Sequence, residues 1–378
     1  MTKKNLIAAL LVFAAALPVF AGGGSEAPAQ DSPIVIGVMA PITGDNAEYG
    51  EFFRTGATLA VKIINDKGGI NGTPVELLIE DSKSDPKEAV LIAQRFISNP
   101  AVMGVVGDFN STASMAAAQI FSPAALVQIS PTASHPGFTA IGEYIFRSGT
   151  TQVHEASFLA RWAVKDLGRK RIAVIYINND WGVVTQENFI KTAKAEGAEI
   201  VALEHFIPGD KDFTASLTKI KNANPDMFFV GTQWADAALL ATQAQKLGLK
   251  VDLMGAGTLA TDPLIQNAGM AVEGIRANSQ YFVGDTRPPS KFFTDEYQKM
   301  FPGRRPHSHA ALTYDAVNLL AEGIKTAGKD RAKIRDAMAG IKDFPGATGT
   351  LTFDAERNPF KVFAKIRVID QKWQISPE

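Results

Sequence analysis

The sequence predicts an α/β protein of two doubly wound parallel-sheet lobes, joined by three hinge crossings around a ligand cleft. Three observations lead there. From Ile34 onward, short β-branched runs alternate with helix-length segments, as in successive βαβ units. The strand segments are continuous apolar runs, so both faces of each sheet are covered. The alternation then restarts after Gln152, and neither the helix-rich piece from Tyr281 nor the two strands after it is long enough to be a third domain.

The elements come in this order along the chain. IVIGVMA (34–40) is the first strand and residues 49–65 form a helix; PVELLIE (74–80), a helix over 86–98 and VMGVVG (102–107) come next. A helix after Thr112, then ALVQIS (125–130) and YIFRSG (144–149), complete the first run. The second run has a helix to Leu167, RIAVIYI (171–177), a helix from Trp181, AEIVALEHF (198–206), a helix from Phe213, DMFFVG (226–231), a helix over 235–247 and VDLMG (251–255). Residues 281–339 are helix-rich, and GTLTFD (349–354) and VFAKIRVID (362–370) are the last strands. Returning those helices to the first lobe and the last two strands, as a hairpin, to the second gives lobe I as 33–150 plus 282–346 and lobe II as 151–281 plus 347–378. Ligands of open α/β sheets sit outside the carboxyl ends of the strands, so the post-strand turns of both lobes should face one cleft.

The first residues belong to neither lobe. Lys3 and Lys4 precede an apolar run over 6–17, then Pro18 and Val19-Phe20-Ala21, with small residues where a signal peptidase reads. The run is short for a permanent membrane anchor. Residues 1–21 therefore read as a cleaved signal peptide and 22–32, GGGSEAPAQDS, as a flexible linker. With no cysteine there is neither a disulfide framework nor a site for a lipid anchor at the cleavage point, which fits a free periplasmic protein. A net charge of -1 excludes the basic footprint of a nucleic-acid binder, and a 46% hydrophobic share is that of a folded chain with a sizeable core.

Candidate chemistry concentrates in post-strand turns. In VVGDFNSTAS (105–114) three hydroxyls, Ser111, Thr112 and Ser114, fall where a helix begins; one suffices as a cap, which leaves others free to meet an anion beside the helix amides. SPTASHPG (130–137) places Thr132 and Ser134 at the next strand's end. Tyr49, Phe109, Trp181 and Trp234 stand on loops or helix starts where they could clamp a ligand. GAGTLA (255–260) matches a dinucleotide fingerprint, with Glu273 beyond it, but Thr261-Asp262-Pro263 reads as an N-cap with proline at the helix start, so the helix begins after the loop. His307 and His309 come after Arg304-Arg305-Pro306 and are expected as a surface pair, with no third metal ligand nearby. No nucleophile elbow, zincin helix or phosphate loop occurs, so no enzyme, cofactor or metal is expected.

Several strings resemble the solute-binding proteins of branched-chain amino acid ABC importers, the leucine/isoleucine/valine-binding type with the type I periplasmic-binding fold. They are IVIGVMAPITGDNAEYG (34–50), INDKGGINGTPVELLIED (64–81), DPKEAV (85–90), ISPTAS (129–134), FRSGTTQ (146–152), GDKDFTASLTKIK (209–221) and GTLTFD, in family order. The resemblance implies a monomer that closes its two lobes on a small carboxylate or amino-acid ligand and delivers it to a membrane ABC permease. It implies Ser111 and Ser134 as carboxylate-binding hydroxyls, backbone contacts from Thr132 and Ala133, and Tyr49 and Trp181 as first- and second-lobe aromatics, with Gln233 where an aromatic is common. One position departs: Gly257 stands where the leucine-binding members carry the glutamate that meets the ligand's ammonium. Asp108, Asp180 or Asp236 would then have to serve, or the ligand is not an α-amino acid. A sensory protein of the same fold, binding an amide or a non-amino-acid carboxylate and docking on a receptor, is the alternative, and an exported NAD-dependent oxidoreductase resting on GAGTLA is the third.

Overall fold

The computed structural model describes residues 32–378. The expected signal peptide and nearly all of the linker lie outside the described residues. The first sheet has strands β1 (Ile34–Ala40), β2 (Val75–Asp81), β3 (Val102–Gly107), β4 (Gln128–Ser130) and β5 (Ile145–Arg147), all parallel, in the order β2-β1-β3-β4-β5. In the second sheet, β6 (Arg171–Ile177), β7 (Glu199–Phe206), β8 (Met227–Gly231), β9 (Asp252–Gly255) and β10 (Arg276–Ser279) repeat that order as β7-β6-β8-β9-β10. The doubly wound order reverses between β1 and β3 and again between β6 and β8, and each reversal opens a crevice at the carboxyl ends of the strands.

β1 and β3 are buried along their whole length, as covering both sheet faces requires. One face packs the helices Ala47–Asp66, Pro288–Met300 and Ser308–Ala327; the other packs Pro86–Ser98 and Ser111–Phe121. Approach is close: a Cβ on Gly37 of β1 would lie 2.9 Å from the Phe96 ring, so the residue that fits there has none. The helix Pro86–Ser98 starts as its letters imply, with Asp85 accepting from Lys87 N (2.7 Å) and Glu88 N (3.0 Å) and proline in the first turn. A separate core around Phe189, Phe228 and Phe229 fills the second lobe.

A two-stranded ribbon, β11 (Phe344–Gly346) with β12 (Gly349–Leu351), precedes two antiparallel strands, β13 (Ala364–Ile369) and β14 (Lys372–Ile375), which extend the second sheet beside β10. The sequence reading expected β12 and β13 to form one hairpin, and β12 pairs with β11 instead. Its neighbours Ala347, Leu351 and Phe353 enter the first lobe's core, which moves the return to lobe II from residue 347 to the stretch between Phe353 and Ala364. The apolar letters of β12 carry no record of which sheet receives them, because partner choice is set by packing far along the chain. The chain passes between lobes after β5, after β10 and along this stretch.

A candidate ligand cleft

The turn after β3 is organised differently from its expected reading. The N-cap of the helix Ser111–Phe121 is Asn110, whose side chain accepts from Thr112 N at 2.8 Å. Capping therefore uses no hydroxyl. Ser114 Oγ donates to Asp108 O and accepts from Asp108 N (3.0 and 3.1 Å), and Thr112 Oγ1 crosses the cleft to Asp180 Oδ2 (2.8 Å). Ser111 Oγ alone is left buried with no hydrogen-bond partner. It lines a cavity between the lobes.

The same cavity is lined by Phe109, Thr132, Ser134, Trp181, Gln233 and Gly257, so seven of the ten predicted site residues meet there. Ser134 Oγ accepts a hydrogen bond from Trp181 Nε1 at 3.1 Å, joining the lobes over it. Thr132 Oγ1 donates to Phe109 O at 2.9 Å, which ties the turn after β4 to the turn after β3.

Tyr49, Asp108 and Ala133 do not line it. The Tyr49 ring stacks on Phe109 with centroids 4.0 Å apart, and its hydroxyl donates to Thr258 O (2.9 Å) and accepts from Trp234 N (3.2 Å). It is a latch between lobes. Ala133 N is consumed by Ser130 Oγ at 2.8 Å. Asp108 is wholly buried away from the cavity, its carboxylate accepting from the Ser82 hydroxyl and from Asn110 N (2.8 Å). Burial raises its pKa to about 7, against the opposing effect of those hydrogen bonds. Asp180 and Asp236 are also elsewhere, the latter accepting from Thr232 Oγ1 at 2.9 Å.

The acid that does line the cavity is Glu155, in the first turn of the helix Gln152–Arg161. Its Oε1 accepts from Asn278 Nδ2 (2.7 Å) and Gly257 N (3.3 Å). A Cβ on Gly257 would stand 3.4 Å from that oxygen and 3.1 Å from Asn278 O, so the glycine makes room for this carboxylate. Burial raises the pKa of Glu155, partly offset by the Asn278 bond. Sequence reasoning missed it because the acids weighed, Asp108, Asp180 and Asp236, were those within a few residues of a strand's carboxyl end, while Glu155 sits on a helix just past a hinge crossing. An acid in a helix's first turn is usual in any case.

The two histidines are buried and not a surface pair. His307 stacks on Phe52 (4.0 Å between centroids), accepts from His309 N through Nδ1 (3.1 Å) and reaches Ala260 O of the other lobe through Nε2 (2.8 Å). Those partners fix a neutral ring protonated on Nε2. Burial holds its pKa well below the usual range and takes that of His309, which lines the cavity, to about 3. In the second lobe, residues Gly257–Leu259 form a short 3-10 turn, and the next helix starts at Asp262 with Thr261 as its cap. The geometry at GAGTLA is therefore not that of a dinucleotide fingerprint, whose helix opens inside the loop.

Comparison with known proteins agrees with the fold. Residues 33–366 match the family described as periplasmic binding protein. The chain is 32% identical to the leucine-, isoleucine-, valine-, threonine-, and alanine-binding protein of Pseudomonas aeruginosa, over 91% of each chain. Among solved structures, the branched-chain amino acid transporter substrate binding protein of Streptococcus pneumoniae, in complex with isoleucine, is 30% identical with a TM-score of 0.86, covering 90% of this chain and 98% of its own. A solute binding protein of R. palustris in complex with benzoate shares the fold at 22% identity, with a TM-score of 0.83 over 91% of this chain and 95% of its own.

Proposed function

Because the chain belongs to the periplasmic binding protein family, we propose that it is the extracytoplasmic solute-binding component of an ABC importer. It captures a small carboxylate-bearing ligand, a branched-chain or related amino acid, between closing lobes and presents it to a membrane permease. The family is one of solute-binding proteins and not of enzymes. Relatives named for leucine, isoleucine and valine support the ligand class, while the benzoate complex marks its outer edge.

One observation carries the reading. Ser111 Oγ is buried at a helix N-terminus inside the interlobe cavity, and no protein group satisfies it. Leaving such a donor unpaired costs on the order of 1 to 3 kcal/mol, which a carboxylate oxygen at that place would recover. Closure is then a population shift: a ligand that touches both lobes favours the closed form by its differential affinity for it. Titration calorimetry with amino acids, aliphatic and aromatic carboxylates and amides tests the proposal. Binding by at least one carboxylate is expected, and silence across the panel refutes the ligand class.

A further inference from the structure

Glu155 is 8% exposed and is the only carboxylate among the described residues lining the interlobe cavity; no lysine or arginine among them lines it. Both of its hydrogen bonds fall on Oε1. Its Oε2 carries none. Asn278 is oriented by the same contact, because Nδ2 donates to Glu155 and its Oδ1 is left buried without a partner. Gln280, two residues on, also lines the cavity and has a buried Oε1 without a partner. The described lining thus holds a cluster of buried acceptors on the hinge and second-lobe side, together with first-lobe hydroxyls at Ser111, which has no partner, and Ser134, which only accepts from Trp181.

A buried carboxylate with two neutral donors and no cation is poorly compensated, and breaking even a balanced buried pair is costly. Hydroxyl-bearing ligands would supply one weak donor. An ammonium group supplies three donors and the missing charge. We propose that Glu155, aimed by Asn278 and given room by Gly257, receives a cationic nitrogen of the ligand, so that the protein selects ammonium-bearing carboxylates and rejects carboxylates that lack one. This rests on the carboxylate reading above.

The test uses matched ligands that differ only in the amino group: leucine with 4-methylpentanoate, alanine with propanoate, phenylalanine with 3-phenylpropanoate. Calorimetry on the unmodified protein should show the amino member of at least one pair binding about 10- to 100-fold more tightly than its partner. Glu155→Gln keeps shape and hydrogen bonding to Asn278 but removes the charge, and should shrink that preference to a few-fold while thermal melting stays cooperative. If the unmodified protein binds the des-amino member as tightly, the assignment of Glu155 falls while the carboxylate reading stands. A Glu155→Gln protein that folds and keeps the full preference has the same consequence. If no member of any pair binds, the assignment of Glu155 falls, and the carboxylate reading falls with it when the wider panel is silent too. The paired comparison on the unmodified protein needs no variant, so a misfolded Glu155→Gln would not rescue the idea.

Discussion

Tyr49 offers the cleanest perturbation of closure, because it joins the lobes without touching the cavity. Tyr49→Phe keeps the ring and its stack on Phe109, 4.0 Å between centroids, and removes only the hydroxyl. Two cross-lobe hydrogen bonds go with it, to Thr258 O at 2.9 Å and from Trp234 N at 3.2 Å. In the closed form both backbone groups are then left without that partner, whereas in an open form water satisfies them. At about 0.5 to 1.5 kcal/mol net per bond, the closed state loses roughly 1 to 3 kcal/mol relative to the open one. Apparent affinity scales with the population of the closed state, so every ligand in the panel should bind about 5- to 150-fold more weakly, with its rank order unchanged. Calorimetry measures the affinity and small-angle scattering the shift toward the open form. A Tyr49→Phe protein that melts normally and binds within about twofold of the unmodified protein would show that the latch contributes nothing to closure.

Ser111→Ala should also weaken binding, by about 1.5 to 3 kcal/mol for carboxylates, through loss of a direct ligand contact. Its melting temperature should not fall, since Oγ has no protein partner to lose; unchanged affinity in calorimetry would move the site elsewhere. Asp108 predicts a pH dependence of stability. Its folded pKa is raised from 3.8 to about 7, so the protonated form is favoured in the fold, and its contribution is full below pH 3.8 and is lost as pH rises through about 7. The gap corresponds to on the order of 4 kcal/mol. Asp108→Asn, which can still meet Ser82 and Asn110, should flatten the denaturation profile across that window; an unchanged slope refutes the assignment. Gly104→Ala would put a Cβ 2.6 Å from Leu320 Cδ1, where β3 meets the helix Ser308–Ala327, and should cost about 1 to 3 kcal/mol in chemical denaturation.

The features legible in the sequence are those written locally. Asp85-Pro86 and Thr261-Asp262-Pro263 announce helix starts because cap and proline act on backbone groups two or three residues away. Apolar strands such as RIAVIYI announce themselves because a sheet covered on both faces needs nothing else from them. That a hydroxyl of this turn stays free of capping was legible for a related reason: three hydroxyls exceed what one cap requires, although the cap is Asn110 and Ser111 is the one left without a partner. The misses are pairings across the chain. His307 comes after two arginines and a proline, surroundings that suggest the surface, yet it is buried by the ring of Phe52, from a helix near the other end of the sequence.

Gly257 and Glu155 show the same limit in the lining of the interlobe cavity. The sequence exposes an acid missing from the turn after β9. Nothing local says that a carboxylate 102 residues earlier fills the space, because a first-turn glutamate is favoured by the helix dipole in any protein. Only the fold distinguishes the two roles, by burying the side chain against Asn278 beside the cavity and giving both hydrogen bonds to one oxygen. An acid that served the helix dipole alone would be better placed in water, where its charge is solvated and its pKa is not driven up by burial. The cost of keeping Glu155 inside is therefore itself an argument that something arriving in the cavity offsets it.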